Sequence, residues 1–231
     1  MISISNLKKE YNGVSVVEIQ TLQISKGDNF GLVGNNGAGK TTLFRLLLDL
    51  VRPTTGEILL NNEKVQDNYE WKRYVGSFLD EGFLISYLTP DEYFSFVGEL
   101  HGFGKEDLKI FLGSFEEFLN GEIIGKKKYI RDLSKGNIKK VGIVAALLGQ
   151  PEVVVLDEPF ENLDPTSQMR LKDIIVNKYK DRNTTFLLSS HDLNHVTEIC
   201  NRIVLMEKGK IIKDLKGGQE ALIELETYFK T

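Results

Sequence analysis

The chain reads as apolar runs broken at regular intervals by polar turns. Its first stretch alternates apolar and polar residues, as in Ser15-Val16-Val17-Glu18-Ile19-Gln20, which predicts half-buried β-strands. Gly56-Glu57-Ile58-Leu59-Leu60-Asn61-Asn62-Glu63-Lys64-Val65 predicts a hairpin turning at Asn61-Asn62. Other runs are continuously apolar: Phe30-Gly31-Leu32-Val33, Val153-Val154-Val155-Leu156, Thr185-Phe186-Leu187-Leu188 and Ile203-Val204-Leu205-Met206. Such strands are covered on both faces, which suits a central parallel sheet. Elsewhere the period lengthens. Thr89-Pro90-Asp91-Glu92 is a helix start, with Thr89 as N-cap, Pro90 at the first position and Glu92 closing a capping box. Tyr93, Phe96, Val97 and Leu100 follow as a helical stripe, and Phe111, Phe115 and Phe118 continue the pattern. Residues 80–135 therefore predict a mostly helical insertion. Leu222, Leu225 and Phe229 share one face of a short tail that should pack on the core. The expected architecture is a single α/β domain over residues 1–231, with a parallel-rich central sheet, an antiparallel β subdomain and a helical subdomain.

Composition narrows the function without naming it. The 231 residues can bury a real core. At 41% hydrophobic and 27% charged, the chain has ordinary globular make-up. A net charge of −4 argues against binding nucleic acid through bulk positive charge. Cys200 is the one cysteine, so no intrachain disulfide can form. Nothing resembles a signal peptide, since Met1-Ile2-Ser3-Ile4-Ser5 leads straight into alternating residues. No apolar run approaches the roughly 20 residues that cross a bilayer. Any membrane role therefore needs a partner that supplies the span.

Two segments carry chemistry. Gly34-Asn35-Asn36-Gly37-Ala38-Gly39-Lys40-Thr41-Thr42 fits G-x-x-x-x-G-K-[ST], the phosphate-binding loop of nucleoside-triphosphate enzymes. Phosphate is densely anionic, so backbone N–H groups must wrap it, and glycines let the backbone come close. Lys40 would reach the terminal phosphates and the Thr41 hydroxyl would ligand Mg²⁺. A strand enters this loop and a helix from Thr42 to Leu48 leaves it, with its N-terminal dipole favouring an anion. This predicts a P-loop NTPase core. In the second segment, the strand Val153 to Leu156 ends in Asp157 and Glu158. Asp157 would hold the Mg²⁺ shell, directly or through water. Glu158 would position or deprotonate the attacking water. Two acids at a buried strand end are costly unless a metal or hydrogen-bond network receives them.

Leu133-Ser134-Lys135-Gly136-Asn137 precedes a predicted helix from Ile138 to Leu148. With Asn162-Leu163-Asp164 and Ser190-His191-Asp192 it completes an ordered series of five motifs. In that order and spacing the chain resembles the ATP-binding-cassette (ABC) ATPases over nearly its whole length. The resemblance implies ATP and Mg²⁺ as ligands, with Lys40, Glu158 and His191 as catalytic residues. It implies that Ser134 and Gly136 reach the terminal phosphate of ATP held by another protomer, and that Asp164 crosses the dimer interface. Tyr11 would stack on adenine, or is an ordinary strand aromatic. Asp80 falls where the family places a glutamine that touches Mg²⁺; an acid there accepts from metal-bound water but loses the amide donor. Lys135 replaces a glycine and either strengthens phosphate attraction or stays solvated. Lys126, Lys127, Lys128, Arg131, Lys135, Lys139 and Lys140 face Asp132 alone. They suit the approach to a dimeric ATP site, lipid headgroups, or a plain solvated face.

The implied function is ATP hydrolysis driving transport, with export favoured by the Gly82-Phe83-Leu84-Ile85 to Tyr93 pattern and by the short tail after Gly209. The implied partners are a second copy or a homologous cassette and a multi-span transmembrane subunit, at the cytoplasmic face of a membrane; direct nucleic-acid binding is not expected. The alternative is a soluble ABC ATPase acting on nucleic acid or ribosomes. Such proteins carry two cassettes or long coiled coils, which this chain lacks. A small-molecule kinase is a third reading, opposed by the Leu133-Ser134 motif and by Glu158.

Overall fold

The computed structural model describes residues 1–180 and 184–230. Two sheets organise it. The smaller is antiparallel, in the order β2-β1-β4-β5, formed by β1 (Ile2–Tyr11), β2 (Val14–Ile24), β4 (Thr55–Leu60) and β5 (Glu63–Lys64). Its last hairpin turns at Asn61 and Asn62, both in the left-handed region that asparagine tolerates. The larger sheet runs β10-β9-β3-β8-β7-β6, from β3 (Asn29–Val33), β6 (Val75–Phe78), β7 (Val153–Leu156), β8 (Thr185–Ser190), β9 (Arg202–Glu207) and β10 (Lys210–Lys216). Every pairing in it is parallel except the β9–β10 hairpin.

Period-two alternation along these strands explains why they are apolar throughout. Phe30 and Leu32 of β3, Val153 and Val155 of β7, and Val204 and Met206 of β9 enter one core, with Leu43, Phe44 and Leu47 of helix α1 (Lys40–Leu47) and the inner face of the antiparallel sheet. Val33, Val154, Leu156, Ile203 and Leu205 point the other way. They meet the helices α5 (Lys135–Ala146), α6 (Pro165–Lys180), α7 (Leu193–Ile199) and α8 (Gln219–Lys230). Both faces are sealed, as a parallel sheet requires.

Helices α2 (Pro90–Leu100), α3 (Lys105–Gly113) and α4 (Glu116–Leu119) stand between β6 and α5. Thr89 and Glu92 form the expected capping box, with Pro90 in the first turn. The stripe on α2 differs from the sequence expectation. Phe94 is fully buried while Phe96 and Leu100 are exposed, so the helix is rotated to present part of its apolar surface outward. In the tail, Ala221 and Leu225 are buried and Phe229 stands largely out. Tyr228 replaces it against the core, its hydroxyl donating to Glu207 at 2.6 Å. Helix α5 begins at Lys135, three residues earlier than expected, because Ser134 caps it by accepting from Asn137 N.

The larger sheet and α5 meet at very close range. A Cβ on Gly76 would lie 1.8 Å from the Ala146 carbonyl oxygen, and one on Gly142 would lie 2.1 Å from the Phe78 ring. Gly76→Ala should therefore lower the unfolding free energy by about 2–3 kcal/mol, since backbone cannot move aside. Gly113→Ala, with nothing in its way at the end of α3, should be neutral or raise stability by up to about 1 kcal/mol. Urea melts of the two variants check this; equal shifts would show that close approach is not what demands glycine at position 76.

Candidate functional site

Four parallel strands deliver their C-terminal ends to one edge of the sheet, where ligand sites of such folds lie. After Val33 comes the phosphate-binding loop, after Phe78 the Asp80 turn, after Leu156 the two acids, and after Ser190 the histidine. Gly34, Gly37 and Gly39 take φ of 157°, 81° and 108°. The loop is backed by main chain: a Cβ on Gly39 would fall 2.6 Å from the Val16 carbonyl, and one on Gly34 would fall 2.2 Å from that of Met206. Ala38 O accepts from Gly209 N at 2.9 Å, and Gly209 O accepts from Glu18 N at 2.7 Å, so both sheets brace the loop from behind. The first-turn N–H groups of α1 have no intrahelical partner and open forward, an arrangement that suits an anion.

Lys40 is almost fully buried within this loop. Its ammonium donates to Gly34 O at 2.6 Å and lies 3.3 Å from Glu158 Oε1. Thr41 Oγ1 donates to Asp157 Oδ2 at 2.5 Å, and Ser189 Oγ donates to Asp157 Oδ1. Burial pushes the Asp157 carboxyl up, against the pull of those two hydroxyls; Glu158 adds to the rise and Lys40 opposes it. Hard oxygens of Thr41 and Asp157 in contact are a donor set that fits Mg²⁺, which takes oxygen ligands and keeps waters of its own.

Glu158 is held on every side. Its N–H donates to Ser189 Oγ at 2.9 Å and its carbonyl accepts from Lys139 Nζ at 2.6 Å. Oε2 meets both the backbone N–H of His191 at 3.2 Å and its ring Nδ1 at 2.9 Å. Oε1 is buried with no hydrogen bond and has the Lys40 ammonium nearby. A carboxylate so restrained, with one oxygen bonded to a histidine and the other without a hydrogen bond, can accept a proton from a water brought against it.

The remaining sequence candidates are spread around this centre. Asp80 lines a cavity of about 330 Å³ together with Asp157, Glu158, Lys135 and Lys139. Its Oδ1 accepts from Gly82 N at 2.8 Å and its Oδ2 meets Arg45 Nη2 at 3.4 Å. Tyr11 stands half exposed at the end of β1 with the Lys9 ammonium 4.8 Å from its ring centroid. Ser134 is exposed at the start of α5 and does not line the cavity beside Glu158. A Cβ on Gly136 would come 2.7 Å from the Asn162 carbonyl. Asp164 caps the start of α6 through Ser167, whose hydroxyl and N–H hold its carboxyl below the usual carboxylate range. His195 packs on Phe160 at 4.7 Å, a structural place in keeping with the absence of any motif around it.

Two residues escaped the sequence reading. Ser189 binds both Asp157 and the backbone of Glu158; its place directly before Ser190-His191 was the available signal. Lys139 was visible only as one base in a charged run.

Comparison with known proteins identifies the family. Residues 17–161 match the family model of the ABC transporter. An uncharacterised ABC transporter ATP-binding protein of Synechocystis is 33% identical over 83% of this chain; the chain spans 54% of that relative's length, about half. The bacitracin transport ATP-binding protein BcrA of Bacillus licheniformis is 31% identical over 93% of this chain and 69% of its own. The fold superimposes with TM-score 0.82 on a dimeric ATP-binding cassette, MJ0796, in a post-hydrolysis state with ADP and Pi (22% identity, covering 94% of this chain and 98% of that one). The chain belongs to the ABC transporter family, as one of its ATP-binding ATPase cassettes.

Proposed function

We propose that this cassette hydrolyses ATP to drive transport through a separate transmembrane subunit, in the export direction and from the cytoplasmic face of the membrane. The observation that carries the reading is the meeting of Lys40, Thr41, Asp157, Glu158 and His191 at one sheet edge. In this reading the loop Gly34 to Thr42 binds the phosphates through its backbone, with Lys40 moving its bonds from Gly34 and Glu158 to the terminal phosphates. Thr41 and Asp157 hold Mg²⁺, which would neutralise phosphate charge. Asp80 already has a donor at each oxygen, so we give it the anchoring of the turn after β6 rather than direct ligation of the ion. Glu158 accepts the proton of the attacking water while His191 fixes its other oxygen. Tyr11, whose ring is half exposed at the end of β1, is assigned to stacking on the base.

Ser134 and Gly136 are assigned to the ATP of a second copy or homologous cassette, because Ser134 stands exposed at the helix start and does not line the cavity beside Glu158. That MJ0796 was solved as a dimer supports pairing. A cleft of about 340 Å³ floored by Leu48, Trp71 and Leu79, with Leu50 and Phe83 exposed at its edge, suits a membrane subunit. Among the described residues no helix is long and apolar enough to cross a membrane. BcrA is named for bacitracin transport, which supports a role in transport.

Glu158→Gln should cut turnover at least a hundredfold and accumulate an ATP-bound dimer, read by phosphate release and size-exclusion light scattering; normal release sinks the assignment. A shared site makes a sharper demand. Lys40→Ala and Ser134→Arg should each abolish turnover alone. Mixing them should restore roughly a quarter of the parental rate, since a mixed dimer keeps one intact site. No recovery on mixing would mean that the site is not built from two copies. Finally, affinity purification from native membranes should bring down a multi-span membrane protein; nuclease-sensitive co-purification instead would favour action on nucleic acid.

A further inference from the structure

Glu158 adopts φ 46°, in the left-handed region that favours glycine. A side chain stays there only if its surroundings hold it. Its N–H is taken by Ser189 of β8 at 2.9 Å. Its carbonyl accepts from Glu161 N at 3.3 Å and, at 2.6 Å, from Lys139 Nζ. Lys139 rises from α5, and its side chain is only 13% exposed. Burial pushes its ammonium below the usual lysine range, while Glu161, Glu158, Asp157 and Glu81 pull it back. The nearest carboxylate, Glu161, is 3.9 Å away, so the Glu158 carbonyl is its closest partner among the described residues.

Two more contacts fasten α5 to the segment 158–164. Lys140 Nζ lies 3.8 Å from Asp164 Oδ2 at the far end. In the middle, Gly136 leaves no room between the helix and the Asn162 carbonyl. The helix thus grips the beginning, middle and end of the segment that Glu158 opens.

We infer that Lys139 is a positioning residue for hydrolysis: by holding the Glu158 carbonyl it keeps the left-handed turn that aims the Glu158 carboxylate at His191 and Lys40. The inference rests on the reading of Glu158 as the base. Lys139 reaches the backbone of Glu158, whereas His191 and Lys40 are the groups in contact with its carboxylate. Because Ser134 caps α5, the helix start and the backbone of the base form one mechanical unit.

The test uses the full chain with Lys139→Met, which keeps the stem and removes the donor, and Lys139→Arg, which restores one. Lys139→Met should lower kcat roughly ten- to a hundredfold, the scale of a small misplacement of a catalytic group. KM and ATP affinity by equilibrium titration should stay within about twofold of the parent. Without nucleotide, amide hydrogen exchange over residues 158–164 should accelerate while that of the loop 34–42 does not. Lys139→Arg should recover most of kcat. A kcat within about twofold of the parent in Lys139→Met, unchanged exchange over 158–164, or no rescue by arginine would overturn the inference. If the methionine variant does not fold, Lys139→Gln, with a donor too short to reach, is read in the same way. Glu158→Gln run in parallel separates the two claims: its normal turnover would remove the base assignment, whereas the exchange readout judges the backbone hold independently.

Discussion

Two carboxylates, Asp157 and Glu158, stand side by side at the end of a buried strand. Everything else at the site answers the cost of keeping both there. Water is largely excluded, and neighbouring like charges oppose each other's ionisation. The burden shows on Asp157, whose carboxyl burial pushes up despite the hydroxyls of Thr41 and Ser189. Lys40 answers it with charge, at 3.3 Å from Glu158. Ser189 answers it twice, with its hydroxyl hydrogen toward Asp157 and its oxygen toward the N–H of Glu158. A single small side chain thus links the two acids and fixes their relative orientation.

The scaffold meets this need by geometry more than by added interactions. Parallel strands sealed on both faces cannot shift in register without turning apolar side chains out of one core and into the other. Their ends are therefore rigid platforms, and the loops that leave them start from fixed points. The antiparallel sheet contributes from behind: Val16 and Gly209 press on the phosphate loop so closely that only glycine fits at position 39. The site is accordingly a surface where two layers of backbone meet, with side chains added only where charge must be placed.

Much of this was legible in the sequence because it is local. A loop motif, a strand running into two acids and a capping box each follow from residues within a few positions of one another. The continuous apolar runs at Val153 and Ile203 announced sealed strands for the same reason. What stayed hidden is set across the chain. Phe94 faces inward and Phe96 outward because α2 packs on α3 and α5 at an angle that periodicity does not fix. Tyr228 displaces Phe229 because Glu207, on a distant strand, offers its hydroxyl a partner. Lys139 read as one base in a charged run until the fold placed it under Glu158. Asp80 departed from the family pattern in sequence, and Arg45 and Gly82 supply it with partners in the fold.

The direction of α5 carries the argument one step past the single chain. Its N-terminus is capped by an exposed Ser134, so its positive dipole end reaches the surface. A positive helix start at the surface beside an acidic cavity is a place that suits an anion brought from outside. The proposed pairing brings a second phosphate loop against it. In the proposed pairing the two roles fall on successive turns of one helix: the start of α5 would meet a neighbour's phosphate, and its next turn grips the backbone of Glu158. In that proposal α5 would tie the ATP held by one subunit to the acid of the other.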